Sequence, residues 1–234
     1  MRPKLLALAV PLVAGLAALG ILGGQAASDA AARLEAALER MEGTSARLEL
    51  SAVTEVKGTS VLGGGFDRTI HGRGELVPPD RLHLVLDGAE PVVEMVIVGR
   101  SVWVDGGEGL RPASKVALGP LTSAQAPLEF VRGPGVAQFA GLGLVRGVVT
   151  YRVRMELDAF ELQARLRSDQ PVDPDTVGAL EVEIGLFDGL LRRQTFEVVE
   201  PADPFSGTGL RTVRTVYAIE YWDHGQDLEV REPR

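Results

Sequence analysis

The residues that could perform acid–base chemistry or bind a metal are few and widely spaced. The three histidines are His71, His83 and His224, and no two of them have the i, i+4 spacing that places two metal ligands on one helix face. The chain has no cysteine, which excludes thiolate nucleophiles, thiolate metal sites and disulfides. No Gly-x-Ser-x-Gly elbow occurs either. We therefore expect the histidines to be surface or edge-strand residues, with no metal site and no cofactor.

Acidic pairs and a glycine run give two further candidate sites. Asp173 and Asp175 could bind a cation, but the prolines among them favour a polar turn. Glu181 and Glu183 could act as paired carboxylates, although alternating acids are typical of the solvated face of a strand. The run from Gly141 to Gly147 approximates a dinucleotide fingerprint, but its last glycine comes one position late and a strand follows it. A hydrolase is thus disfavoured, and we predict that the protein is not an enzyme.

The N-terminus has the pattern of an export signal. Arg2 and Lys4 precede an apolar run over residues 5–22, and Gly24-Gln25-Ala26 offers small residues at a cleavage site. We predict a signal peptide over residues 1–26 that is cleaved near Ala26. The alternative is an uncleaved N-terminal anchor, because the run is about as long as a membrane-spanning helix.

The remaining chain, residues 27–234, is acidic. Removal of Arg2 and Lys4 leaves 22 basic residues against 32 acidic ones, a formal charge of −10. Such a surface repels phosphate backbones, so we exclude nucleic acid as a partner. Neither a repeat nor a Pro/Ser-rich linker divides this segment, and we predict one domain over residues 27–234.

Hydrophobic periodicity predicts mostly strands. Apolar positions with helical spacing predict a helix over residues 29–41, and shorter helices are expected over residues 121–131, 136–142 and 158–167. Pro127 should kink the second of these or start a fresh turn. Nine alternating segments predict strands: residues 47–52, 70–77, 81–87, 92–98, 101–105, 149–157, 180–186, 194–199 and 211–221.

Tight turn signals such as Gly99-Arg100 and Asp188-Gly189 join several neighbouring strands, so the sheet should be antiparallel. A sheet of this size tends to curl. We predict an α+β fold in which a large curved antiparallel sheet, a half-barrel, wraps around the N-terminal helix and a mid-chain helical insertion.

Six stretches of the chain occur in an order that is informative as a whole: Gly43–Leu50, Gly72–Leu76 with Pro79–Leu82, Val96–Val104, Val145–Val153, Glu181–Arg193 and Tyr217–Trp222. This order resembles the LppX/LprG family of lipid-carrier lipoproteins, which share a fold with LolA and LolB. The resemblance covers nearly all of residues 27–234, and the chain departs from that family in lacking the lipid-modified cysteine.

The resemblance implies that the protein binds or transports lipids or lipidated molecules in an apolar cavity between sheet and helices. It also implies a location in the cell envelope, periplasmic or extracellular, and contact with a membrane surface. Alternation supplies the expected cavity lining: Leu82, Leu84, Leu86, Met95, Ile97, Leu128, Val131, Val149, Tyr151, Val153, Val182 and Ile184.

Two alternatives remain open at the level of sequence. The same aliphatic residues could pack as a dry core against the helices. The protein would then be an envelope sensor or interaction module with the same fold and without lipid carriage. A lid formed by residues 121–131, bordered by Gly-Pro and Gly-Pro-Gly runs, is expected on the carrier hypothesis.

Overall fold

The computed structural model describes residues 29–58, 66–88, 92–113, 123–166, 171–202 and 211–233. Within these ranges the chain forms three helices and eleven strands. The helices are α1 (Ala30–Glu42), α2 (Ala126–Val131) and α3 (Ala159–Leu166). The strands are β1 (Ala46–Gly58), β2 (Phe66–Val77), β3 (Arg81–Asp87), β4 (Val93–Val98), β5 (Ser101–Asp105), β6 (Arg111–Pro112), β7 (Gln138–Val145), β8 (Val148–Leu157), β9 (Val177–Gly185), β10 (Leu191–Ala202) and β11 (Arg211–Trp222).

All eleven strands lie in one antiparallel sheet with the order β6-β5-β4-β3-β2-β1-β11-β10-β9-β8-β7. Hairpins join most neighbours, but the centre pairs the first strand with the last, so that Leu48 lies opposite Tyr221. The sheet is curved and unclosed, since its end strands β6 and β7 do not pair with each other. The predicted α+β half-barrel is confirmed.

Alternation along each strand decides which face is covered. In β8 the side chains of Tyr151, Val153 and Met155 are buried, whereas those of Arg154 and Glu156, which point to the other face, are exposed. Helix α1 contacts β7, β9 and β10 with one apolar stripe. The buried residues of that stripe are Ala30, Leu34, Ala37, Leu38 and Met41. The concave face of the sheet is thus the apolar face, and α1 covers part of it.

Helix α2 starts later than the sequence predicts. Pro127 stands in its first turn, where a missing backbone N–H costs nothing, so the proline begins a fresh helix. Leu128 and Val131 are buried in the same apolar cluster as Met95 and Ile97. Residues 121 and 122, which begin the predicted helix, lie outside the described residues.

Arg165 of α3 fixes the end of α2. Its guanidinium donates to the carbonyl oxygens of Phe130, Val131 at 3.1 Å, Gly133 at 2.8 Å and Pro134 at 2.9 Å. These carbonyls are at the negative end of a helix, where a cation is favoured. Burial lowers the pKa of Arg165, and Glu161 partly opposes this shift. The buried guanidinium of Arg165 therefore attaches α2 to α3. Helix α2 belongs to the segment that was expected to act as a lid.

The helix predicted over residues 136–142 is wrong, because residues 138–142 lie in strand β7 and the two residues before them are in neither a helix nor a strand. Its backbone pairs with β8, with Leu144 opposite Val149. Gly141 has φ +109, a backbone conformation outside the helical region, and it lies at a register shift in the pairing. Strand β6 is the other strand beyond the nine that were predicted, and its two residues are too few for a periodic signal.

Candidate functional site

A pocket of about 410 Å³ opens between the N-terminal half of α1 and the strand ends that meet the β9–β10 turn. It lies at the rim of the concave face, where β8 begins and β9 ends. The lining residues are Asp29, Ala32, Arg33, Ala36, Arg40, Tyr151, Ile184, Gly185, Leu186, Phe187, Asp188 and Gly189.

Tyr151 and Ile184 form the apolar floor of the pocket. They lie opposite each other in β8 and β9, and both belong to the main hydrophobic cluster. The Phe139 ring packs on the Tyr151 ring with a centroid distance of 4.7 Å. Burial raises the pKa of Tyr151, and the positive charge of the nearby Arg33 opposes this rise. The floor is therefore continuous with the core of the half-barrel.

Arginines of α1 form the polar wall. The Arg33 guanidinium carbon lies 4.9 Å from the centroid of the Tyr151 ring, within cation–π distance. Arg40 donates to the carbonyl oxygen of Gly189 at 3.4 Å. Neither arginine forms an ion pair with a carboxylate of the described residues. The pocket thus combines these two arginines and the carboxylates of Asp29 and Asp188 with an aromatic and aliphatic floor, a lining that suits an amphiphile whose polar end meets the arginines.

The β9–β10 turn is held rigidly beside the pocket. Asp188 accepts hydrogen bonds from the guanidinium of Arg192 and, at 3.1 Å, from the backbone N–H of Leu190. Gly189 has φ +66, a conformation that favours glycine. The turn therefore presents Phe187 in a fixed position, with its side chain 90% exposed.

Phe187 belongs to an apolar rim around the pocket mouth, which also includes Leu142, Leu144 and Val149. Leu144 is 65% exposed, Leu142 39% and Val149 38%. Leu142 lies opposite Tyr151 and Leu144 opposite Val149, so the three aliphatic residues share the concave face. The backbone N–H of Leu186 donates to the Val149 carbonyl at 2.9 Å, which joins the turn to β8. The four residues of the apolar rim thus lie at the same end of the sheet, beside the pocket.

His224 supports the same turn from the C-terminal side. Its Nε2 is 2.9 Å from the carbonyl oxygen of Leu191, and its Nδ1 is 3.0 Å from Nη1 of Arg192. A neutral ring that donates from Nε2 and accepts at Nδ1 satisfies both contacts. Burial lowers the pKa of His224, and the charge of Arg192 lowers it further. Both ring nitrogens of His224 are therefore engaged in holding this turn.

The other chemistry candidates do not line the pocket. His71 is exposed, and His83 lies 2.9 Å from Glu94 on the neighbouring strand. The expected polar turn at Asp173 and Asp175 is confirmed, since the Asp175 N–H donates to the Asp173 carboxylate. The described residues contain no group of three metal-ligating side chains, and none of the described helices is long and apolar enough to cross a membrane.

Glu183 departs from the solvated face expected of it. It is only 5% exposed, because Thr150 donates to it at 2.7 Å and Arg193 covers it at 3.0 Å. Arg193 also binds Glu220, which is bound by Arg146 too. Glu181 lies 3.9 Å from Arg152. These carboxylates are therefore occupied by arginines on the convex face of the sheet.

Of the twelve residues predicted to line a cavity, ten are at most 4% exposed. These ten are Leu82, Leu84, Met95, Ile97, Leu128, Val131, Tyr151, Val153, Val182 and Ile184. Leu86 is half-buried and Val149 lies in the apolar rim. Tyr151 and Ile184 reach the pocket, and the other buried side chains are in contact with protein. Their role as a lipid cavity stays a prediction.

Sequence reasoning missed the α1 arginines and Phe187. Arg33 and Arg40 occupy the polar side of an amphipathic helix, which ordinarily faces solvent. Phe187 could have been found, because a large aromatic residue directly before an Asp-Gly turn has no strand neighbour to bury it.

An open antiparallel half-barrel with helices on its concave face defines the class to which the fold belongs. It is the fold of the lipoprotein LppX from Mycobacterium tuberculosis, with a TM-score of 0.51 and 14% sequence identity over 86% of this chain and 97% of LppX. The predicted resemblance to the LppX fold is confirmed. At this identity the similarity establishes the fold alone.

Other solved structures align over similar lengths. LprF from Mycobacterium bovis is 11% identical over 88% of this chain and 97% of that chain, with a TM-score of 0.47. A LolA-superfamily protein from Nitrosomonas europaea is 13% identical over 86% and 94%, with a TM-score of 0.35. No protein-family model matches the sequence, and comparison with curated proteins gives no significant match.

Proposed function

We propose that the protein binds lipids or lipidated molecules in the cell envelope, taking an acyl chain at the pocket beneath α1. The observation that carries this proposal is the composition of that pocket. Arg33 and Arg40 line it together with two aspartates, one of which is already bound by Arg192, and its floor, Tyr151 and Ile184, is part of the hydrophobic core. An anionic head group and an apolar chain would each find a matching surface there.

The size of the pocket suits the first part of such a ligand. Its 410 Å³ lies within the range of about 300–1,000 Å³ usual for small-molecule sites. Each buried methylene contributes about 0.8 kcal/mol, so affinity requires few polar contacts. A longer chain would extend past Tyr151 into the core, and buried side chains such as Val153 and Val182 would have to move apart. The LppX-like fold and the predicted export signal support the proposal of an envelope carrier that is not an enzyme.

Two neighbouring alanines of α1 allow a matched test. Ala32 lines the pocket and Ala31 does not, and both are exposed. Ala32→Trp places a large ring in the pocket, so we expect at least about tenfold weaker uptake of a fluorescent fatty-acid probe, equivalent to about 1.4 kcal/mol. Ala31→Trp should bind the probe like the parent. Equal binding of the probe by both variants would show that the acyl chain does not bind in this pocket.

Mass spectrometry of the native protein addresses the ligand itself. Protein purified from its host envelope should carry co-purified acyl-containing molecules that are released by solvent extraction. Protein that carries none and fails to bind the probe would contradict the proposal.

The second candidate is an envelope sensor or protein-interaction module with the same fold. The observation that favours it is the dense packing of the concave face, where Ile97, Val153 and Val182 are each 0% exposed. Such a protein would bind no acyl probe, and cross-linking in the envelope would instead capture a defined protein partner. The probe and the cross-linking experiments together separate the two functions.

A further inference from the structure

We propose that the apolar rim, formed by Leu142, Leu144, Val149 and Phe187, is a docking edge that inserts into the surface of a phospholipid bilayer. This inference rests on the proposed lipid-binding function, because it identifies the source from which the pocket would receive its ligand. A docked rim would bring the pocket mouth to the lipid head groups.

The exposure of the rim is the first argument. A phenylalanine that is 90% exposed, beside a leucine that is 65% exposed, forms an apolar projection that folding alone does not explain. The turn that carries Phe187 is fixed by the Asp188–Arg192 pair and by the Leu186–Val149 hydrogen bond. The projection is therefore built into a rigid turn.

The position of the N-terminal sequence is the second argument. Asp29, where the described chain begins, lines the pocket itself. The apolar run ends at Leu22, and seven residues span at most about 25 Å. Whenever that run is inserted in a membrane, before cleavage or as a lasting anchor, the pocket side of the fold is held within this distance of the bilayer.

Charge is the third argument. The chain as a whole is acidic, with a formal charge of −8, whereas the pocket beside the rim is formally balanced, with Arg33 and Arg40 against Asp29 and Asp188. Arginines next to exposed apolar side chains suit the interface of an anionic bilayer, where head-group phosphates lie directly above the hydrocarbon. A protein partner or a second copy of the chain would not require this pairing.

A chain without cysteine permits a site-specific test. Phe187→Cys and Phe160→Cys are each labelled with an environment-sensitive NBD group in the full-length protein. Phe160 is a matched control, because it is 79% exposed on α3, beyond the opposite end of β8. With vesicles of phosphatidylcholine and phosphatidylglycerol, we expect several-fold higher, blue-shifted emission from the label at position 187. Nitroxide-labelled lipids should quench it, and the label at position 160 should respond as in water.

Three outcomes would overturn the docking edge. These are an unchanged label at position 187, equal responses at both positions, and a response that depends on protein concentration without vesicles, which would indicate a second copy. Fatty-acid uptake by the same labelled proteins is measured in parallel. Uptake without insertion would refute the docking edge while the lipid-binding function stands. Insertion without uptake would refute the lipid-binding function and leave a membrane-attached protein.

Discussion

At the scale of single residues, His224 joins the C-terminal turn to the wall of the pocket. Its ring bridges the Leu191 carbonyl and the Arg192 guanidinium, and Arg192 in turn binds Asp188. Protonation at Nδ1 would place a proton against a guanidinium N–H. The neutral ring is thus the form that the folded protein favours.

Stability should therefore fall as the pH drops. The pKa of His224 is lowered from its ordinary 6.5 in the folded state, mainly by burial, so the unfolded state binds the proton more readily. The contribution of the neutral histidine is complete above about pH 6.5 and decreases below it. Asp188 and Asp223 act in the opposite direction and limit the shift. Urea unfolding between pH 7.5 and 5 measures the slope.

His224→Gln should flatten this slope, whereas His71→Gln should keep it, because the His71 side chain is exposed. A His224→Gln variant that keeps the parental pH dependence would show that another group governs it.

Arg165 is the residue on which the position of α2 depends. Hydrogen bonds that involve a charged group contribute about 1.5–3 kcal/mol, and removal of this guanidinium leaves several carbonyls without their donor. We expect Arg165→Met to lower the free energy of unfolding by that amount and to speed amide exchange in α2. Arg154→Met, at an exposed position, is the control and should do neither. An unchanged exchange rate in α2 would show that packing alone holds the helix.

At the scale of elements, the helix α1 is the most sharply specified part of the fold. Leu38 is 1% exposed at the centre of its buried stripe. Leu38→Ala should lower the free energy of unfolding by about 2–5 kcal/mol, because it removes buried methyl groups and leaves a cavity. Chemical denaturation measures this, with the exposed Glu39→Ala as control. Coincident unfolding curves for parent and Leu38→Ala would contradict the packing of α1.

The elements that sequence predicted are those with an unambiguous period. α1 differs from its predicted bounds by one residue at each end, and β8 shows the alternation that was expected. β7 was missed because its glycines break the alternation and its apolar residues Leu142 and Leu144 are exposed at the sheet end. A strand in which buried apolar and exposed polar residues do not alternate has no hydrophobic periodicity that could predict it.

The pocket was less predictable than the fold. Tyr151 and Ile184 were identified because the concave face follows from strand alternation. Arg33 and Arg40 were not, since the rotation of α1 above the sheet decides which of its polar residues face a pocket. That rotation depends on packing between elements distant in sequence, which no local pattern encodes.

At the scale of the whole molecule, the N-terminal sequence predicts export. Arg2 and Lys4, the apolar run and the small residues before Ala27 form one signal. We expect N-terminal sequencing of protein from the native envelope fraction to begin at or near Ala27. Full-length protein that retains Met1 in the envelope would indicate an anchor, and cytosolic protein that retains Met1 would contradict export.

The pairing of β1 with β11 has a consequence for how the molecule acquires its structure. Leu48 and Tyr221 meet at the centre of the sheet although about three quarters of the chain lies between them. Contacts of such long range are slow to form, because a large loop must be closed first. The two halves of the sheet cannot join until the last strand has been synthesised. If the chain is exported as its N-terminal sequence predicts, such a late-closing sheet would keep it open for passage through a secretion channel, and we expect it to fold after export.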